Sequence, residues 1–388
     1  QRIILNLTAS PATSIAVTWR TTVEVKEPQV AFAESEDGAG FYKKATRIPA
    51  KTEKVALDLV DTSLCAYYHS AILENLKPNT LYAYRVGAGN DWSEWSHFTT
   101  AENKVAPFKF VYLGDPQDYI KEHVSRIFRK AFKSAPDASF WLCTGDLTAD
   151  PEDKLFEELY YAADFIFRTV PTIFAPGNHD CKYKVEDGKF VITKKGWKER
   201  LKEVSQLWRG QFTFPENGVP GLEETCYYID YQGVRIIMLD SNHKLEEQAE
   251  WMEKKLSDNP NRWTIVAFHH PLYSLGGRRD DQRTRNAFLP LFDKYSVDLV
   301  LTGHDHVYAR SHTLKNGEKV KEGEKGTVYV LSVSGPKAYP VSDLHTELMA
   351  KTGGQIQLFQ VLTVDGGKLG YKAYTVTGRL YDSFELSK

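Results

Sequence analysis

The sequence predicts an all-β sandwich over residues 1–103 followed by an α/β domain over residues 104–388, with the strands of the second domain in two sheets. Three observations predict it. Short segments rich in Val, Tyr and Thr fill the first hundred residues, with turn signals between them. After Pro107 the pattern changes to apolar strand-like runs alternating with helical periodicity, which indicates an α/β layer architecture. Five of those runs end in short polar clusters, as strands do when their carboxyl ends converge on a ligand.

In the first part, IAVTWRT (15–21), PQVAFAE (28–34), YYHSAILENL (67–76) and TLYAYRVGAG (80–89) read as strands, and SPAT, EDGAG, KPNT and GAGND as turns. AENKVAP (101–107) reads as a linker. Beyond it, FKFVYLGD (108–115) is a strand, EHVSRIFRKAF (122–132) has helical spacing, SFWLCTGD (139–146) is a strand, and DKLFEELYYAADFIF (153–167) is a helix. PTIFAPGNHD (171–180) begins as a strand. VRIIMLDS (234–241), TIVAFHHP (264–271) and VDLVLTGHDH (297–306) follow as strands, with helices at 245–256 and 285–295 between them. The tail, GTVYVLSVSG (326–335) and QIQLFQVLTVDGGKLGYKAYTV (355–376), is strand-rich and reads as completing a second sheet of the same domain.

Composition narrows the function. Lys+Arg number 49 and Asp+Glu 51, a formal net charge of -2, without the basic bias that nucleic-acid or anionic-membrane binding leaves. The longest apolar runs, such as VDLVL (297–301), fall far short of the ~20 residues that span a bilayer. Cys65, Cys143, Cys181 and Cys226 allow three full pairings, which stay open. Cys143, in FWLC, reads as a buried thiol, and no cysteine spacing suggests zinc. No signal of oligomeric state is present.

The polar clusters carry the chemistry. GDPQ (114–117), GD (145–146), GNHD (177–180), HH (269–270) and GHDH (303–306) each follow an apolar strand. They deliver Asp, Gln, Asn and His, oxygen and nitrogen donors suited to divalent metals. Gly114, Gly145, Gly177 and Gly303 precede them, where a glycine lets the chain turn sharply and approach an ion. Without metal, such convergence would bury several unpaired polar groups at considerable cost.

Two resemblances follow from these residues. Trp19, LKPNTLYAYRV (76–86) and SHFTT (96–100) resemble a fibronectin type III domain, which implies that the Tyr82 hydroxyl latches back to the backbone. The ordered set D-x-Q, GD, GNHD, HHP and GHDH, over roughly residues 108–312, is similar to the calcineurin-like metallophosphoesterases. With a fibronectin-like domain in front, the whole chain resembles their purple-acid-phosphatase branch, which implies a two-sheet β-sandwich flanked by helices as the catalytic domain. The resemblance also implies two divalent metals about 3.5–4 Å apart. Asp115, Gln117 and His306 would hold the first, Asn178, His269 and His304 the second, and Asp146 would bridge them. Mn, Fe and Zn all suit these donors. A small phosphorylated substrate would meet a hydroxide held by the metals, with Asn178, His179, His270 and Arg310 on the substrate side. His179 is the implied general acid, Asp180 its orienting partner, and His270 a phosphate contact or catalytic group.

Two departures from the family stand out. Purple members carry a tyrosine three residues after the bridging Asp, where this chain has Ala149, so no tyrosinate-to-iron colour is expected. Gln117 stands where many relatives have His, and an amide is the weaker donor, so a water could replace it. Asp240 reads as structural support. GGRRDDQRTR (276–285), with four Arg, and the Lys-rich stretch 183–200 are candidate rim elements. Asn6-Leu7-Thr8 is a glycosylation sequon. A start at Gln1 without Met, together with the accessory β-domain, suggests an exported protein, periplasmic or extracellular. The expected activity is phosphoester hydrolysis. The alternatives are a cyclic-nucleotide or phospholipid phosphodiesterase, and a secreted binding module with a vestigial metal site, against which the near-complete ligand set argues.

Overall fold

The computed structural model describes residues 1–388 apart from 60, 61, 278 and 322, with backbone alone at 57–59 and 62–63. Three large sheets carry the architecture. Ten strands form the first, in the order Leu380–Ser387, Lys368–Thr375, Leu358–Asp365, Phe108–Leu113, Phe140–Cys143, Thr172–Phe174, Ile4–Leu7, Ile15–Thr21, Thr62–Leu73 and Lys51–Leu59. Seven form the second: Tyr227–Tyr231, Val234–Met238, Trp263–Ala267, Leu299–Thr302, Val328–Leu331, Tyr308–Ser311 and Met349–Gly353. A third sheet, centred on Gln29–Glu34 and Leu81–Ala88, completes the N-terminal sandwich.

The two larger sheets pack face to face. Phe108 and Phe140 of the first meet Tyr231 of the second at ring separations of 4.8 and 5.1 Å. Residues of the second sheet alternate strictly. Ile236, Met238, Ile265, Ala267, Leu299 and Leu301 join the core between the sheets, whereas Ile237, Val266 and Val300 face the helices. Burial on both faces explains why these strands read as unbroken apolar runs.

Helix α1 (Ser125–Ser134) places Ile127, Phe128 and Ala131 on one face, the Phe128 ring edge-on to Trp141 at 5.4 Å. Helix α2 (Asp153–Ala163) adds Phe156 and Leu159 to the same core. After the short α3 (Gln206–Gln211), helices α4 (Leu245–Ser257) and α5 (Gln282–Tyr295) cover the second sheet with Met252, Leu256, Phe288 and Phe292. Among the described residues no helix is long and apolar enough to cross a membrane.

Three expectations change. The N-terminal sandwich does not close on itself. Ile4–Leu7 is buried throughout and runs parallel to Thr172–Phe174, with Leu5 N–H donating to Phe167 O at 2.9 Å, so one sheet crosses from the sandwich into the α/β part. The tail divides, Val328–Leu331 entering the seven-stranded sheet and Leu358–Thr375 the ten-stranded one. Asn6, the sequon residue, is fully buried. Its amide donates to Thr172 Oγ1 (2.8 Å) and accepts from Thr213 N–H (2.9 Å), which leaves no room for a glycan in the folded chain.

The linker is pinned rather than loose, since Gln232 accepts from Glu102 N–H (2.9 Å) and donates to Ala106 O (3.1 Å). Tyr82 does latch back, its hydroxyl accepting from Lys77 N–H at 2.9 Å. All four cysteines are free thiols, Cys143, Cys181 and Cys226 buried and Cys65 exposed.

Asn6 ties the strand that joins the two halves to Thr172–Phe174 and to the loop after α3. Replacing it with Ala removes both hydrogen bonds and leaves the Thr213 N–H without its acceptor, while the Thr172 hydroxyl keeps Leu5 O (3.0 Å), and should cost about 1–3 kcal/mol. A fall in the urea midpoint at unchanged slope would show it; an unmoved midpoint would mean that the junction carries little of the stability.

Candidate metal centre

Five parallel strands deliver the polar clusters from their carboxyl ends, three in the ten-stranded sheet and two in the seven-stranded one. The first three bring Asp115 and Gln117, then Asp146, then Asn178 to Asp180. The other two bring His269 and His270, then His304 and His306. The site therefore sits where the edges of two sheets meet, and neither sheet holds a complete set.

The donors converge on one another. Asp146 Oδ2 lies 3.3 Å from His269 Nε2, and Asp115 joins this pair with donor atoms all within 4.8 Å. Asn178 Oδ1 and His304 Nδ1 are each 3.1 Å from His269 Nε2. Gln117 Nε2 is 2.9 Å from Asp146 Oδ2 and 3.2 Å from His306 Nε2. Asp115, Gln117, Asp146, His269 and His306 are at most 1% exposed.

Ring orientation is set from outside the cluster. His269 donates Nδ1–H to Thr144 O (2.8 Å) and His306 to Lys337 O (3.1 Å), so each turns its Nε2 inward. Three acceptor-capable atoms then close on His269 Nε2, which has at most one proton to share among them. Gln117 Oε1 is buried without a partner. This surplus of inward lone pairs fits a cation. The assigned orientation of the Gln117 amide is interchangeable, and turned over it would present oxygen to the same position.

Charge gives the same answer. Burial, with repulsion from Asp146, pushes the Asp115 carboxyl well above the usual range. Burial opposes ionisation of Asp146 too, but attraction to His269 and His179 outweighs it and holds this group well below. Asp180 is pushed up to about 7 by burial and then by Asp146. Burial would lower His269, yet Asp146 raises it to about 9. His304 and His306 are lowered, chiefly by burial, and so are neutral imidazoles. Adjacent buried carboxyls cannot all ionise unaided, and added positive charge lets them.

The backbone is strained where the donors sit. Asp115, Asp146, His304 and His306 all have φ between 50° and 76°, a region that side-chain-bearing residues seldom adopt. Of the four glycines, only Gly145 has a positive φ. Gly303 serves close approach instead, since a Cβ there would overlap the Asp115 carboxylate.

The remaining candidates separate. His179 donates Nδ1–H to Ala149 O (2.5 Å), while its backbone N–H donates to Asp146 Oδ1 (2.7 Å). Asp180 does not orient it: the Asp180 carboxylate accepts from the backbone N–H groups of Asp146 (2.8 Å), Leu147 (3.2 Å) and Gly177 (2.8 Å), so it braces two loops. Ser241 Oγ accepts from His270 N–H (3.0 Å) and lies 2.8 Å from His270 Nδ1; in the tautomer in which the hydroxyl donates there, Nε2–H is left as a donor. Burial lowers His270 to about 3, which keeps it neutral. Arg310 is taken up by Asp382 through two hydrogen bonds (2.7 and 3.0 Å) and is not offered to substrate. Asp240 accepts from Asn242, which reaches Gly177 O at 3.4 Å, in keeping with a supporting role.

Two residues of the rim went unassigned by sequence. Arg279 donates to His304 O (2.7 Å) and lies over the Tyr339 ring (5.0 Å), whose other neighbour is His306 (5.3 Å). The charge-mixed loop was its signal. Of the other three Arg there, Arg283 and Arg285 pair with Asp281 and Asp280, and Arg278 lies outside the described residues. Arg200, from the Lys-rich stretch, donates to His179 O (3.0 Å), Cys181 O (3.1 Å) and Ala149 O (3.0 Å) and pairs with Asp150. Nothing local in the sequence marks it.

A site of this kind on this double sheet defines a class. Residues 108–308 match the calcineurin-like phosphoesterase family model, and residues 1–100 match that of the purple acid phosphatase N-terminal domain. The chain belongs to the calcineurin-like phosphoesterases, hydrolases of phosphoric ester bonds, and within them to the purple-acid-phosphatase-like branch. It is similar to acid phosphatase type 7 of Mus musculus, 24% identical over 366 residues that cover 86% of this chain and 77% of the relative. Probable purple acid phosphatase 20 of Arabidopsis thaliana is 27% identical over 62% of this chain and 55% of its own length. Several curated relatives thus extend well beyond the part matched. The fold superposes on a purple acid phosphatase from yellow lupin seeds with a TM-score of 0.82, at 21% identity, covering 100% of this chain and 74% of that one.

Because Asp180 satisfies three buried N–H groups, Asp180→Ala should lower stability by at least about 2 kcal/mol. Metal affinity should fall with it. A thermal midpoint within one degree of the parent, with full metal content, would contradict the bracing role.

Proposed function

We propose that the chain hydrolyses phosphate esters with two divalent cations bound, Asp115, Gln117 and His306 holding one, Asn178, His269 and His304 the other, and Asp146 shared. The observation that carries this reading is the crowding of acceptors around His269 Nε2 and Asp146 Oδ2. When bound, such a pair polarises phosphoryl oxygens and lowers the pKa of the water that attacks phosphorus.

The protein's own groups do the rest. His270 Nε2–H and the Asn178 side chain orient the phosphoryl oxygens. The guanidinium edges of Arg279 left over from His304 O supply a planar, permanently charged contact. His179, its Nδ1–H committed to Ala149 O, keeps Nε2 for the leaving oxygen and protonates it as the ester bond breaks. The Ala149 position offers no phenol, so the iron-loaded protein should lack a tyrosinate charge-transfer colour.

p-Nitrophenyl phosphate and bis-p-nitrophenyl phosphate, each assayed with Mn, Zn or Fe, test the activity and sort monoester from diester. No turnover of either with any metal would overturn it in favour of a binding module. Asp146→Ala should lose both metals and activity together, and elemental analysis that still finds two metals would sink the shared assignment. His179→Ala should slow turnover about 100-fold or more with metal content nearly unchanged; metal loss would make it a ligand instead.

A further inference from the structure

The balanced charge of the whole chain conceals a local bias. Residues 182–203 carry eight Lys and Arg against four Asp and Glu, in a chain whose net charge is -2. Most of those acids are spent locally: Glu203 pairs with Lys182, and Glu186 and Glu199 flank Lys184. Among the described residues, Lys189, Lys194, Lys195, Lys198 and Lys202 have no acid partner within 4.0 Å.

The stretch folds as an arm of two hairpins. Val185–Glu186 pairs with Lys189–Phe190, and Ile192 pairs with Lys198. The second hairpin closes tightly. Thr193 N–H donates to Trp197 O (2.7 Å), Gly196 N–H donates to Thr193 O (2.9 Å), and Thr193 Oγ1 accepts from Trp197 N–H (3.1 Å). The base is anchored, since Lys184 N–H donates to Glu199 O (2.8 Å) and Arg200 holds the carbonyls of His179 and Cys181. A Cβ added at Gly188 or Gly196 would meet nothing within 4 Å, so both turns project into open space.

Backbone and Thr193 build this turn, and nothing in it requires a tryptophan. Yet Trp197 stands at its end, 69% exposed, and among the described residues it is the one exposed Trp. Ile192 is 55% exposed, and Val185 is exposed as well. Phe190 lies opposite Val185 and two residues from Ile192, so these three share a face. The Lys198 ammonium lies over the Phe190 ring at 4.2 Å, and Lys194 and Lys195 occupy the exposed turn beside Trp197. Solvated lysines and single exposed apolar residues are common on surfaces. This arm differs in setting a Trp, an Ile and a Val among unpaired Lys on a narrow, projecting turn. A protein partner would have to offer a cleft to such a tip, whereas a lipid surface yields to it. Trp seats at the headgroup level of a bilayer, and Lys beside it is attracted by anionic headgroups.

We propose that this arm docks the protein on anionic lipid bilayers, with Trp197 and Ile192 entering the headgroup region and Lys194 and Lys195 meeting the negative charge. Docking requires no turnover, so it stands apart from the phosphoesterase reading.

Sedimentation of the metal-loaded protein with vesicles tests it, using phosphatidylcholine alone or with about 30% phosphatidylglycerol. Both lipids carry one phosphodiester, so capture of a headgroup phosphate by the metal centre would not separate them, whereas charge does. The parent should favour the anionic vesicles at least about 10-fold. Lys194→Glu/Lys195→Glu and Ile192→Ser/Trp197→Ser should each weaken that binding about 10-fold or more, with thermal midpoints close to the parent's. The two variants change different residues, so either one suffices should the other fail to fold. Equal binding of the parent to both vesicles, or a folded Ile192→Ser/Trp197→Ser variant that binds as the parent does, would overturn docking by this arm. A parent that sediments with neither would overturn it too, and would leave the arm to an acidic protein surface.

Discussion

Burying the Asp146 carboxylate is the constraint around which the two sheets are arranged. Oδ1 accepts from His179 N–H and Oδ2 faces Gln117 and His269, so one side chain spans loops from both sheets. An isolated carboxylate at 1% exposure would cost several kcal/mol. The fold meets that cost with backbone N–H groups, imidazoles and a place for cations. Asp180, one loop away, is satisfied entirely by backbone donors, which fixes the loop that carries Asn178 and His179. Positioning and compensation are the same set of contacts.

The same constraint explains the strain. Donors on five loops must point inward from strands that run the same way, and the backbone turns back within one or two residues of each strand end. Four donors accept left-handed φ values to do so. Such conformations persist only where the surroundings over-determine them. Here the surroundings are rigid: apolar strands buried on both faces and bonded to neighbours at every register position.

Much of this was legible in the chain. Glycine followed by Asp, Asn or His after an apolar run marks a strand end that carries ligands, and the five clusters placed every donor that the fold brings together. The α/β layering followed from period and order, and the two-sheet β-sandwich from the resemblance. What escaped was non-local. The parallel pairing of Ile4–Leu7 with Thr172–Phe174 joins segments more than 160 residues apart, and no local pattern encodes it. Asp180 looked like a partner for its neighbour His179, but adjacent side chains diverge, and its carboxylate is spent on three N–H groups. Arg310 looked like a phosphate contact because Arg suits phosphate, whereas its partner, Asp382, lies 72 residues on.

Arg200 shows how a rim element reaches the chemistry. It rises from the Lys-rich stretch after GNHD, stacks on Tyr183 (4.5 Å), pairs with Asp150 and holds the carbonyls of His179 and Ala149. Ala149 O is the same oxygen that orients the His179 ring. A shift of this stretch therefore moves the ring's acceptor and its own backbone together, and keeps their relation intact. This arrangement lets the rim differ in sequence while the His179 ring keeps its geometry.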